Sequence, residues 1–123
     1  MRILLDTHVL IWWDEGARVT ARADRAIREA AQVYVSAVSG WEIAIKTSLG
    51  RLKPRRSVEQ AARESGFEEL PVRLFHAARV ASLPWHHRDP FDRLLAAQAL
   101  EEHLTLVTRD AVFRRYGVKT VGA

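Results

Sequence analysis

Three short runs of apolar and β-branched residues constrain this chain most: "RILLD" at 2–6, "VYVSA" at 33–37 and "LTLVT" at 104–108, each passing straight into a helical pattern. Apolar runs of this length mark strands buried on both faces, and such strands belong to parallel sheets whose crossovers are helices. The helical patterns that follow are "THVLIWWDEG", then "VSGWEIAIKTSLG" closing on Gly50, then the short "DAVFRRYG" closing on Gly117. Both glycines suit helix C-caps. Further helical patterns fall at 20–31, 57–65, 72–82 and 90–102, and "VKTV" at 118–121 reads as a last strand. This alternation predicts an α/β fold, a three-layer α/β/α sandwich around a central, mostly parallel sheet.

At 123 residues, 48% hydrophobic and 28% charged, the chain suits one domain spanning 1–123 with a substantial core. No repeat, low-complexity tract or linker divides it; composition shifts only at the basic connection "RLKPRR", Arg51–Arg56. The opening "MRILLDTHVLIWW" is interrupted by Asp6 and His8, lacks a small-residue cleavage site and falls short of the roughly 20 apolar residues of a membrane span. A cytoplasmic protein without a membrane partner is the expectation. The absence of cysteine excludes disulfides, zinc–thiolate sites and thiol catalysis. The 19 basic against 15 acidic residues leave a formal charge of +4, which favours a polyanionic partner.

In an open α/β sheet the ligand crevice lies outside the carboxyl ends of the strands, where helices also present their N-termini. Four acids fall there. Asp6 ends the first strand, Glu42 lies in the first turn after the second, Asp110 opens the short helix after the third, and Asp92 begins the helix before it. Each has a local alternative. Asp6 and Asp110 suit helix caps; Glu42 completes a Ser39-x-x-Glu42 capping box and precedes Lys46 by four residues; in "RDPFD" Asp89 suits an N-cap, Pro90 the first helical position and Asp92 a capping-box acid. Together, four carboxylates in one crevice require a cation or retained protons. Oxygen donors without cysteine suit Mg2+ or Mn2+ better than zinc, and the chemistry such a site supports is phosphodiester hydrolysis, with one ion or with two about 4 Å apart. With those four acids committed, the rest of the chain is more basic still, which suits a nuclease.

The segments "LLDTHVLIWW", "VSAVSGWEIAIK", "LPWHHRDPFDRLLAAQAL" and "LTLVTRDAVFRRYGV" together resemble the PIN-domain ribonucleases, specifically the VapC-type toxins of toxin–antitoxin pairs, over nearly the whole chain. The resemblance implies a Rossmann-like sandwich, an Mg2+- or Mn2+-dependent endoribonuclease and a cognate VapB-type antitoxin. It also implies catalytic and metal roles for Asp6, Glu42, Asp92 and Asp110, with Asp89 retained as the cap and as a supporting residue outside the ligand set. Thr7 and Thr108 adjoin ligand candidates and are placed to orient a carboxylate or water. Among the basic residues, Arg109 is the first choice for a phosphate contact because it lies between Thr108 and Asp110; Arg51, Lys53, Arg55 and Arg56 follow. Single-stranded RNA is the expected substrate form.

The five histidines show no metal-ligand spacing and read as structural or surface residues, with His86 and His87 bordering the crevice. Trp12 and Trp13 are adjacent, so one helix cannot bury both on the same face; an exposed member would serve a homodimer or antitoxin groove. Three other readings compete: a PIN nuclease of RNA processing, a magnesium-dependent phosphotransfer protein of receiver or phosphatase type, and a non-catalytic basic RNA-binding module. The second is disfavoured because "LLDTH" has no second Asp two residues on, and "VYVSA" ends without a phosphorylatable Asp.

Overall fold

The computed structural model describes residues 1–123. Five parallel strands, β1 (Arg2–Leu5), β2 (Gln32–Ser36), β3 (Glu68–Leu70), β4 (Thr105–Thr108) and β5 (Thr120–Gly122), lie in the order β3-β2-β1-β4-β5. The helices are α1 (Thr7–Asp14), α2 (Ala21–Glu29), α3 (Ala37–Ser48), α4 (Val58–Ser65), α5 (Leu74–Val80) and α6 (Pro90–Glu101), followed by a 3-10 turn, Ala111–Tyr116. Strand alternation divides the apolar side chains between the sheet's two faces. Ile3, Leu5, Val33, Val35 and Val107 pack with Val9, Leu10, Ala23, Ile27 and Ile43 of α1, α2 and α3. Leu4 and Leu106 pack with Leu95, Ala96 and Ala99 of α6 and Phe113 of the 3-10 turn. Both faces are thus covered, giving the expected three layers. No helix is long and apolar enough to cross a membrane.

The expected helices occur, with ends set by side chains that satisfy free backbone amides. Thr20 and Ser57 cap α2 and α4, accepting from the N–H of Ala23 and Gln60. Gly50 and Gly117, with φ of 71° and 83°, take the left-handed conformation after α3 and the 3-10 turn. The differences are local. Strand β3 escapes the sequence reading because only one of its three residues is buried; it is an edge strand held by pairing with β2. The pattern at 72–82 shortens to α5, whose first turn is fixed by His76 Nδ1 accepting the Arg73 N–H at 2.9 Å. The helix after β4 is a 3-10 turn, and the last strand lies at 120–122 instead of 118–121.

Two buried polar residues of α6 position the segment before it. Gln98 accepts from Ser36 Oγ and donates to the Pro71 carbonyl at 3.2 Å, tying α6 to the ends of β2 and β3. Arg93 donates to the carbonyls of Val80, Leu83 and Pro84 at 3.1, 3.2 and 2.8 Å, and Trp85 lies against its guanidinium at 3.9 Å. The loop from α5 to α6 is therefore clamped along its first half.

Candidate functional site

Strands β1 and β4 lie side by side at the point where the strand order reverses direction, and the Asp6 N–H extends their ladder to the Val107 carbonyl at 3.0 Å. Asp6 occupies the N-cap position of α1, yet its carboxylate caps nothing: Oδ2 accepts from Thr108 Oγ1 at 2.6 Å. A strand-end threonine from the far end of the chain thus orients the acid. Thr7, next to it, donates to Ser39 Oγ at 2.8 Å.

The expected Ser39-x-x-Glu42 capping box does not form. Ser36 caps α3 instead, accepting the Val38 N–H at 3.0 Å, and Ser39 sits inside the helix against Thr7. One turn further on, Glu42 is buried and receives Lys46 Nζ at 2.7 Å across one helical turn. The cap at α6 is likewise simpler than a box. Asp89 Oδ1 accepts from the N–H groups of Phe91 and Asp92 at 2.9 and 3.3 Å, while the Asp92 carboxylate turns away and stands 2.9 Å from His87 Nε2. Asp110 does two things: Oδ1 caps the 3-10 turn through the Val112 N–H at 2.9 Å, and Oδ2 lies 3.7 Å from the same His87 nitrogen. Its own N–H donates to Thr108 Oγ1 at 3.0 Å.

Asp6, Glu42, Asp92 and Asp110 line one crevice of about 150 Å³. Asp89, Lys46 and His8 complete its polar wall, with Trp12 and Arg109 on the remaining side. Residues from opposite ends of the sequence meet here because β1 and β4 are neighbours. Burial raises the Asp6 carboxyl above its ordinary range, against the opposing Thr108 hydrogen bond. Burial also raises Asp92, to about 7, with further contributions from Asp89, Asp6, Glu42 and Asp110. Burial is the larger cause and like charges in the half-buried crevice add to it; both are relieved by protons or by a cation. Cysteine-free oxygen donors in a crevice this small fit a hard divalent ion.

The basic candidates distribute differently. Arg109 borders the crevice, but its guanidinium donates to the Ala123 carbonyl at 3.2 and 3.0 Å and lies over the Trp12 ring at 3.8 Å. Arg51, Lys53 and Arg55 are exposed on the loop before α4, outside the crevice wall. Arg56 is held between Asp14, at 2.6 Å, and Glu64, which occupy its guanidinium. Trp12 and Trp13 are both half-buried against the core, so neither forms the exposed aromatic patch anticipated from their adjacency. The exposed aromatics are Trp41, Phe75 and Trp85. Sequence reading placed His87 at the border of the crevice; the structure brings its ring into contact with two of the acids. The signal lies in "HRDPFD", where a histidine two residues before an N-cap can reach the first helical turn.

Comparison with known proteins gives a consistent result. The PIN domain family model matches residues 3–119. Ribonuclease VapC22 of Mycobacterium tuberculosis is 34% identical over 119 residues, covering 93% of this chain and 91% of that protein. The VapBC2 structure from Rickettsia felis, bound to a promoter DNA fragment, superposes with a TM-score of 0.71 at 15% identity, over 99% of this chain and 98% of that one. The DNA-bound VapBC structure from Salmonella typhimurium gives 0.69 at 18% identity, with the same coverage.

Proposed function

Because this chain belongs to the PIN-domain family, as a VapC-type member of it, we propose that it is the toxin of a toxin–antitoxin pair, an Mg2+- or Mn2+-dependent endoribonuclease that hydrolyses RNA phosphodiester bonds. The observation that carries this reading is the convergence of Asp6, Glu42, Asp92 and Asp110 on one small crevice at the carboxyl ends of β1 and β4. The chemistry a bound cation supplies is Lewis acidity, activating water and offsetting charge on the leaving oxygen. The chain's own residues do the rest. Asp6, fixed by Thr108, and Glu42, on the rigid first half of α3, hold the deep side of the crevice; Asp92 and Asp110 close it from α6 and the 3-10 turn. Lys46 offsets Glu42's charge before an ion arrives.

The RNA is single-stranded, so that the scissile phosphate can be bent into the crevice. Arg109 offers its remaining N–H groups there, and Arg51, Lys53 and Arg55 take phosphates further along the strand. A VapB-type antitoxin masks the enzyme. An apolar-lined cleft of about 620 Å³ between α3 and α4, including Ala37, Gly40, Ile43, Ala44 and Val58, supports docking of its helical segment. Exposed Trp41, Phe75 and Trp85 support a homodimer. We place the protein in the cytoplasm, with all 123 residues as one PIN domain.

The test is incubation of antitoxin-free protein with total cellular RNA in Mg2+, in Mn2+ and in chelator, with new 5′ ends mapped by sequencing beside Asp92→Asn. Discrete, metal-dependent ends bearing 5′-phosphate and absent from the variant are expected. A folded protein that binds metal and cuts nothing would overturn the reading.

A further inference from the structure

The histidine ring between the acids has a defined proton. His87 Nδ1 accepts the Asp89 N–H at 3.2 Å, so the neutral ring carries its hydrogen on Nε2. That nitrogen stands 2.9 Å from Asp92 Oδ2 and 3.7 Å from Asp110 Oδ2. The backbone of His87 is held separately, its N–H donating to Tyr116 Oη at 2.8 Å, and the preceding loop is clamped by Arg93. The imidazole is therefore presented by a rigid frame that does not depend on the ring itself.

We propose that His87 is a positioning residue of the metal centre: its Nε2 proton, donated to Asp92 Oδ2, fixes the Asp92 carboxylate opposite Asp110, which comes from a different element, within reach of one ion. The inference rests on the nuclease reading above and deepens it. The cap residue Asp89 has a second task in this arrangement, because its backbone amide selects the ring's tautomer while its side chain starts α6. Coordination by Nε2 would demand the opposite tautomer, setting an Nδ1 hydrogen against the Asp89 N–H. Residues that orient ligands in this way typically contribute 10- to 100-fold to metal affinity.

The experiment is titration of the metal-free full-length protein with Mn2+ alone, followed by calorimetry and electron paramagnetic resonance, for wild type, His87→Ala and His87→Gln. Expected are a loss of Mn2+ affinity of about 10- to 100-fold in His87→Ala, substantial recovery in His87→Gln, which keeps a side-chain N–H donor, and unchanged metal-free melting temperatures. Wild type should show no directly bonded nitrogen coupling in the Mn2+ spin-echo spectrum, and nitrogen NMR of the metal-free protein should show the Nε2–H tautomer. Equal affinity in wild type and His87→Ala would overturn the positioning role while leaving the metal centre intact. A directly coordinated nitrogen would overturn it in favour of ligation. Absence of Mn2+ binding by folded wild type would remove the nuclease reading and this inference with it.

Discussion

Asp92 holds an unfavourable position at the centre of the proposed site. Its carboxyl is raised to about 7 by burial and by neighbouring acids, so between the ordinary carboxylate range and neutrality the folded protein binds a proton that the unfolded chain releases. Stability of the metal-free protein from this source is therefore greatest at low pH and is lost as pH rises towards 7, with a slope of at most about 1.4 kcal/mol per pH unit. Asp92→Asn should accordingly be more stable than wild type in chelator at pH 8 by about 1–2 kcal/mol, seen as a higher melting temperature, while metal-dependent cleavage falls to background. Asp6→Asn and Glu42→Gln should also abolish cleavage, with Asp110→Asn milder because one of its oxygens is already spent on the cap; end-mapped RNA assays decide this. Thr108→Val, which removes the only side-chain donor to Asp6, should lower Mn2+ affinity about 10-fold without unfolding the chain. Much of this was legible beforehand, since acids at strand ends and helix starts announce themselves in a linear pattern. Thr108 as an orienting hydroxyl and His87 at the crevice border are legible too, but not which acids they meet, because the pairings depend on side-chain direction across elements distant in sequence.

At the scale of elements, the helix ends explain which acids are free to do chemistry. Asp89 alone carries the cap of α6, so Asp89→Ala should cost about 1 kcal/mol, seen as a fall of a few degrees in the melting temperature. It should also weaken Mn2+ binding by loosening the turn from which Asp92 projects. The capping box expected at Ser39 failed because Ser36, at the end of β2, starts α3 three residues earlier, a boundary shift that local signals do not resolve. For the same reason β1, β2 and β4, with continuous apolar runs, were recognisable, whereas β3 was not. Two of its three residues are glutamates, and only its ladder to β2 makes it a strand. On the exposed loop before α4, replacing Arg51, Lys53 and Arg55 together with Ala should make the slope of log RNA affinity against log salt shallower by about 0.7 per lost phosphate contact. Arg56→Ala should instead reduce stability, because it parts from Asp14 and Glu64 and not from substrate.

For the whole molecule, the proposed metal binding would be linked to folding through the crevice. An ion that displaces protons from Asp6 and Asp92 binds more tightly as pH rises, so Mg2+ or Mn2+ should raise the melting temperature more at pH 8 than at pH 5, and chelator should erase the difference. The parallel sheet adds a constraint of another kind. The hydroxyl that holds Asp6 belongs to a residue 102 positions later, and β1 finds its second neighbour only when β4 is present. On the ribosome, the first strand must therefore wait for nearly the whole chain to emerge before its acid has a fixed orientation. A truncated or stalled translation product ending before Thr108 carries Asp6, Glu42 and Asp92 without the frame that assembles them. On the reading proposed above, the nuclease thus lacks its assembled site throughout its own synthesis, and its antitoxin has until chain completion to be at hand.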